Sequence, residues 1–441
     1  MRTISALSGA LLVSVIASQA VLASGYAIRE SSAALLGQSF AGSGSADNDL
    51  STIHYNPATL AFVNGSEVSV SGTWIDPTIK VSDAQGVGPA PANQPVNGVS
   101  SDNNVGMKGI IPAGYFGWNW TDHVNVGVAI TTPWALGTNY NDNWNGQLYA
   151  LKSEIESTNI NPMVSYRFNN NLSVAAGVQA QYIDATLTNQ VWLPFGGGPA
   201  TSQTAVHNKI TGSDWGYGYN VGLLYEFSEQ TRLGLAYQSA IHHTLKGDAI
   251  GVSNSTPSPS DNLALGAALT GPVSANLITP ESVNLSLSHG FNKKWTGHAG
   301  VQWTRWNRFS ELDITVENPN VPGGELLETM NLNWSNSFYY ALGADYQLTP
   351  EWVLRAGIAY DESPVDDSHR TPGIPDGNRT SLSLGAGYNF LPGARVDIGY
   401  SHLFVEDVAV NLDAANAPSG SLSADYKSHV DIIGVGLSWS F

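Results

Sequence analysis

Apolar and polar residues alternate with period two along most of this chain. Trp215, Tyr217, Tyr219, Val221, Leu223, Tyr225 and Phe227 fall on one face of a strand. Gly216, Gly218, Asn220, Gly222, Leu224 and Glu226 fall on the other. The same pattern sets Val124, Val126, Val128 and Ile130 against Asn125, Gly127, Ala129 and Thr131. It recurs over 172–182, over 352–360 and in the final run Ile433, Val435, Leu437, Trp439 and Phe441. The alternation predicts 14 strands, starting near 67, 109, 123, 155, 172, 214, 231, 281, 295, 332, 351, 379, 395 and 428.

The connections alternate as well. Short ones fall near 119–123, 169–171, 228–231, 292–294, 349–351 and 391–394. Long ones cover roughly 77–108, 133–154, 190–213, 247–280, 310–331, 361–378 and 409–427. An even number of antiparallel strands, with short turns at one end and long loops at the other, predicts an all-β fold: a 14-stranded antiparallel transmembrane β-barrel. Closure satisfies every backbone group inside lipid, which an open sheet edge does not. A soluble sandwich predicts polar residues on each exposed strand face, and this chain has aromatic and aliphatic ones.

Residues 24–65 break the pattern. They are rich in Ser, Gly and Ala, yet hold Leu35, Leu36, Phe40, Ile53, Tyr55, Leu60 and Phe62. Asn56-Pro57 reads as a helix start, with Asn as N-cap and Pro at the first helical position. A 14-stranded barrel is wide enough to stand open unless something fills it. The segment is therefore expected inside the lumen, as a plug.

Composition agrees with a lipid-facing wall. Only 12% of the 441 residues are charged, and 46 are Gly. The formal net charge of −18 argues against nucleic acid as a partner. With no cysteine there is no disulfide, thiol nucleophile or thiolate metal site. Residues 1–23 read as a signal peptide: Arg2, an apolar run, then Val21 and Ala23 before a cut at Ser24. A cut after Ala20 is the alternative. No later run is long and apolar enough for a transmembrane helix.

The stretch "GYAIRESSAALLGQSFAGSGSADNDLSTIHYNPATLAF" resembles the N-terminal hatch of the FadL-type outer-membrane transporters of long-chain fatty acids and hydrocarbons. Similarity continues through "VSGTWIDPTIKV", "WGYGYNVGLLYEF", "WTRWNRFSEL" and "AYDESPVDDSHRTPGIPDGNR" to the aromatic carboxyl terminus. The resemblance implies a hatch at 24–65 with the motif Asn56, Pro57 and Ala58, and a barrel over 66–441. It implies capture of a hydrophobic molecule between extracellular loops, an inner pocket near the chain's N-terminus and sideways release at a kink in the third strand.

Candidate residues follow. Trp192, Leu193 and Phe195 in one long loop, and Leu263, Leu265, Leu269 and Leu277 in another, are too apolar for loops that only face water, which marks them as capture sites. An alkyl chain gains about 0.8 kcal/mol per buried CH₂. Pro133 cannot donate to a ladder, so it either ends the third strand at a loop or forces a break in it. The resemblance places the family's kink in this stretch, which makes Thr132, Pro133 and Trp134 the candidate lateral gate. Tyr26 is placed at the inner pocket by the resemblance. A carboxylate leaving water needs a partner. Arg29, Arg305, Arg355 and Arg379 are the strand or hatch bases, and they serve equally to balance an acidic lumen. Fatty acid and neutral hydrocarbon both stay open as ligands.

Other chemistry is weakly signalled. His242 and His243 are adjacent on a strand and point to opposite faces, which argues against a metal pair. Asp366-Asp367 lacks the spacing of a calcium loop. Trp303 and Trp306 fit a sandwich for an aromatic ligand, and the interface belt is the commoner place for such residues in barrels. No Ser/His/Asp set stands out, so no enzyme activity and no cofactor is expected. The expected setting is the outer membrane of a Gram-negative bacterium, with lipid and lipopolysaccharide around a monomer.

Overall fold

A computed structural model describes residues 24–47, 49–89, 93–169, 171–192, 205–253, 265–318, 324–413 and 419–441, with the side chains of 325–328 left aside. The wall consists of fourteen antiparallel strands. They are β1 Ser66–Val87, β2 Gly109–Thr121, β3 Val124–Thr131 resuming as Ala135–Asn139, β4 Lys152–Arg167, β5 Leu172–Val191 and β6 Val206–Ser228. Next come β7 Thr231–Gln238 resuming as Ile241–Ser253, β8 Gly271–Thr279 and Ser282–Gly290, β9 Trp295–Thr304 and Glu311–Glu317, and β10 Glu325–Asn331 and Ser337–Gln347. The last are β11 Trp352–Asp361, β12 Arg379–Leu391, β13 Ala394–Val405 and Val408–Leu412, and β14 Ser421–Ser440. Each strand pairs with the next, and β14 pairs back onto β1 from Glu67↔Ser440 to Val87↔Ser421, closing the barrel.

The outer wall is apolar because the period-two faces sort by solvent. Tyr217, Tyr219, Val178, Leu342, Leu384, Ile398 and Val435 are all exposed on it. The inner wall is small and polar, with Ser69, Asn125, Asn161, Ser165, Asn220, Ser286 and Ser383 buried.

Several strands run further than their alternation predicts. β1 continues to Val87 where a loop is expected from 77, and β6 begins at Val206 rather than 214. Above the lipid band the outward residues turn polar, as in Thr78 and Lys80 of β1 and Asp425 and Lys427 of β14. The ladder continues there while the apolar signal that marks a lipid-facing strand ends. Leu277 is corrected for the same reason: it lies in strand β8, not in a loop.

Residues 24–63 pack against the inward faces of the strands. A short helix, Ala33–Leu36, is capped by Ser32, and two 3₁₀ turns follow at Leu50–His54 and Pro57–Phe62. Leu35, Leu36, Ile53 and Leu60 are fully buried. Small hydroxyls join segment to wall: Ser39 to Ser383 and Ser45 to Ser288, each at 2.8 Å. The Gly44 N–H donates to Ser286 Oγ at 3.1 Å.

Candidate functional site

The third strand breaks where its proline predicts. Its ladder with β4 runs to Thr131↔Asn159 and resumes at Ala135↔Glu156. Three residues, Thr132, Pro133 and Trp134, thus oppose two, Ser157 and Thr158, as in a β-bulge. On the other side, β2 pairs with β3 only up to Gly114↔Ile130. Residues Gly109–Ala113 of β2 pair with β1 alone. A break between β2 and β3 therefore opens in the wall at the proline.

The start of the described chain fills the inner side of this break. The Ile28 N–H donates to Pro133 O at 2.8 Å, and the Ala135 N–H donates to Tyr26 O at 2.9 Å. Backbone groups freed from the β3 ladder thus find partners in the N-terminal segment. The Ser157 hydroxyl completes the site: it donates to Trp134 O at 2.8 Å and accepts from Trp134 N–H at 2.9 Å.

Tyr26 is buried in a cluster of rings. Its centroid lies 4.9 Å from Trp306, 5.5 Å from Trp134 and Phe309, and 5.9 Å from Trp334. Its hydroxyl donates to Ile278 O at 3.1 Å, and burial pushes its pKa well up. Trp306, Phe309 and Trp334 are buried at breaks of β9 and β10, where the ladder between Thr304↔Ser337 and Glu311↔Asn331 is interrupted. The belt reading of Trp306 is thus corrected: it faces the lumen. Alternation along β9 stops at Arg305, so period two carries no information about the next residues.

Beside this cluster lies an apolar cavity. Leu136, Ile155, Leu187, Leu245, Leu277 and Met330 line it, with Phe309 and Leu332 next to the rings. Among the described residues its lining includes no Lys or Arg. A second, more polar space lies against Pro133 and Trp134, with Arg29, His54, Asn284 and Gln302 in its wall. Burial pulls the His54 pKa down to about 4.

The four candidate bases all have acidic neighbours. Arg29 stands 3.6 Å from Asp361 and 4.0 Å above the ring of Tyr339. Arg305 pairs with Glu281 at 3.0 Å, and Arg355 with Asp397 at 2.7 Å. Arg379 pairs with Asp376. Of the four, only Arg29 lines the space beside Pro133.

Asn56 is fully buried and caps the turn at Pro57, its Oδ1 accepting from the Ala58 N–H at 3.0 Å. Its Nδ2 donates to Gly44 O at 2.8 Å and to Leu223 O of β6 at 3.1 Å.

The capture candidates separate. Leu193, Phe195 and Leu263 lie outside the described residues. Trp192 is buried with Val96, Leu148 and Ala205. Leu265 and Leu269 share one helical turn, with the Leu269 N–H donating to Leu265 O at 2.9 Å. Of the described members of the set, Leu277 alone lines the cavity. His243 faces inward, buried, while His242 is exposed.

Residues 13–441 match the family described as outer membrane protein transport protein (OMPP1/FadL/TodX). The chain belongs to this family. A long-chain fatty acid transport protein of Escherichia coli O157:H7 is 29% identical over 428 residues, covering 91% of this chain and 92% of the relative. Among solved structures, a FadL homologue from Pseudomonas aeruginosa superposes with a TM-score of 0.85 at 24% identity, covering 95% of this chain and all of that one. The toluene transporter TbuX of Ralstonia pickettii gives 0.66 at 17% identity, covering 95% of this chain and 99% of that one. The family and the closed 14-strand barrel place this member in the Gram-negative outer membrane, as a transporter of hydrophobic molecules.

Proposed function

We propose that the protein is a passive outer-membrane channel for long-chain fatty acids. Residues 24–65, exported behind a cleaved 1–23 signal, act as its plug. The extracellular loops around Trp192, Leu193, Phe195, Leu263, Leu265 and Leu269 collect the ligand, and the cavity lined by Leu277 holds its apolar chain. Tyr26 and Trp134 separate that cavity from the space beside Pro133, and the ligand leaves sideways past Thr132, Pro133 and Trp134.

One observation carries this reading: the apolar cavity abuts the ring cluster that sits on the break in β3. Half of a long alkyl chain buried there gains several kcal/mol at about 0.8 kcal/mol per CH₂, enough for capture and weak enough for onward passage. Arg29 is the base placed to meet a carboxylate. The protein has no catalytic role in this scheme, and works as a monomer among outer-membrane lipid and lipopolysaccharide.

A second reading, uptake of aromatic or alkane hydrocarbons, is favoured by the cavity lining without Lys or Arg. Titration of the purified barrel with oleate, methyl oleate and toluene, followed by Trp fluorescence, separates the two. Saturable oleate binding that weakens on esterification supports fatty-acid transport. Binding of toluene but not oleate replaces it with the hydrocarbon channel.

A further inference from the structure

The wall has a second interruption, away from β3. The ladder between β6 and β7 ends at Asn220↔Gln238 and resumes only at Ser213↔Lys246. Between these points Asp214–Tyr219 faces Ser239–Leu245 without register. Three hydrogen bonds cross the rims: Ser239 N–H to Tyr219 O at 2.9 Å, Tyr219 N–H to Ser239 Oγ at 2.9 Å and Thr244 N–H to Asp214 Oδ2 at 2.8 Å. The result is an eyelet, laced above and below, at the outer edge of the lipid band, where Tyr217 and Tyr219 face out on β6 and His242, Thr244 and Lys246 face out on β7. Irregular backbone at membrane depth is tolerated where it lines a cavity or is buried in protein.

Side chains and the His242 carbonyl close this eyelet, the carbonyl oxygen lying 2.8 Å from where a Cβ on Gly216 would stand. Gly216 and Gly218 of β6 present no side chain to the lumen, and β7 presses into the vacated space. A Cβ on Gly216 would come within 2.5 Å of Ile241 and 2.6 Å of His243, and one on Gly218 within 2.7 Å of Ile241 and Ser239. Ile241 and His243 are each 2% exposed. Outside, Trp215, Tyr217 and Tyr219 stand exposed, Tyr217 by 75%. Aromatic residues of this kind sit at membrane interfaces.

Two further observations connect the eyelet to a ligand. The apolar cavity is lined by Thr211, Gly212 and Leu245, immediately beside the upper lacing at Ser213↔Lys246. Next, His243 Nε2 lies 3.1 Å from Gln181 Oε1, whereas its buried Nδ1 has no hydrogen-bond partner. With Nε2 donating to an amide oxygen, Nδ1 of the neutral ring is an acceptor. A buried acceptor left empty costs stability unless something fills it.

We propose that the β6–β7 eyelet is a second lateral portal, gated by Ile241 and His243, through which a neutral hydrophobic molecule bearing a hydroxyl or un-ionised carboxyl exchanges between the cavity and the outer leaflet. This rests on the reading of the cavity as a ligand site. The portal lies four strands along the wall from the break at Pro133, and among the described residues no segment of the N-terminal plug bonds across it.

The absence of cysteine makes a direct test available. Single variants His243→Cys, Ile241→Cys, Trp134→Cys and Ala341→Cys are reconstituted with a phospholipid carrying a maleimide at the end of one acyl chain. That probe is anchored in the bilayer, so it reaches a cysteine only through the wall. Ala341 faces inward from the intact ladder of β10 and serves as the closed reference. His243→Cys and Ile241→Cys are expected to label about tenfold faster than Ala341→Cys, through local opening. Labelling of both at the Ala341→Cys rate overturns the portal. Trp134→Cys then tells how far the failure reaches: if it labels, only the eyelet falls, and if it does not, lateral release at β3 falls with it.

Discussion

Tyr26 and Ala135 are hydrogen-bonded across the break in β3, the Tyr26 carbonyl accepting from the Ala135 N–H at 2.9 Å. The N-terminal segment stands in for the strand partner that β3 has lost, so the break and the segment that covers it form one unit.

Register therefore matters more than the proline ring. Thr132, Pro133 and Trp134 oppose only two residues of β4, and replacing Pro133 alone leaves the extra residue in place. Deleting Pro133 restores two opposite two and keeps Thr131 and Leu136 facing inward. The deletion is expected to lower uptake of a labelled fatty acid about tenfold, equivalent to ~1.4 kcal/mol, while the barrel still inserts. Pro133→Ala is expected to do less. Full uptake by the deletion variant would remove the gate.

Asn56 joins the two turns of the N-terminal segment to β6. Asn56→Ala loses the cap, costing about 1 kcal/mol, and leaves Gly44 O without its amide donor, costing about 1–3 kcal/mol more. Ion conductance across a planar bilayer should rise as the plug loosens. Asn56→Asp keeps the acceptor for Ala58 but sets a buried carboxylate against the Gly44 and Leu223 carbonyl oxygens, so it should raise conductance at least as much. Unchanged conductance in Asn56→Ala would show that the segment is held elsewhere.

Arg29 tests the ligand's head group. It is the base beside Pro133, and a hydrogen bond to a charged group is worth about 1.5–3 kcal/mol. Arg29→Gln is expected to slow oleate uptake about tenfold or more and to leave toluene uptake unchanged. Equal loss of both would mean that Arg29 only balances Asp361.

His54 makes seating of the segment sensitive to acid. Burial lowers its pKa to about 4, below its value of about 6.5 in water. The neutral ring is the form that the seated segment accepts. The contribution is complete above about pH 6.5 and is lost as pH falls towards about 4, for a total of about 3 kcal/mol. Limited proteolysis within 24–63 should therefore increase over that range. His54→Gln should flatten the profile, and an unchanged profile would assign it to other groups.

The strand pattern was legible because the wall has two solvents. Val435 and Leu437 face lipid while Ser438 faces the lumen, so period two shows in composition. Asn56 was legible because a cap followed by proline is a local signal, and Pro133 because a missing donor is local too. Trp306, Phe309 and Trp334 were not. They turn inward where β9 and β10 lose register together, and nothing within either strand records the state of its neighbour. The β6–β7 eyelet escaped for the same reason: Gly216 and Gly218 fit a regular strand as well as an interrupted one.

The pairing of β14 with β1 has a consequence for biogenesis. The N-terminal segment precedes β1, and the strand that encloses it is the last one synthesised. A ring that zipped shut first would leave those residues to thread back into a finished cylinder. Docking of 24–63 on the inner surface must then come before, or together with, the final seam, so the assembly machinery receives a chain whose interior is already furnished when its two ends meet.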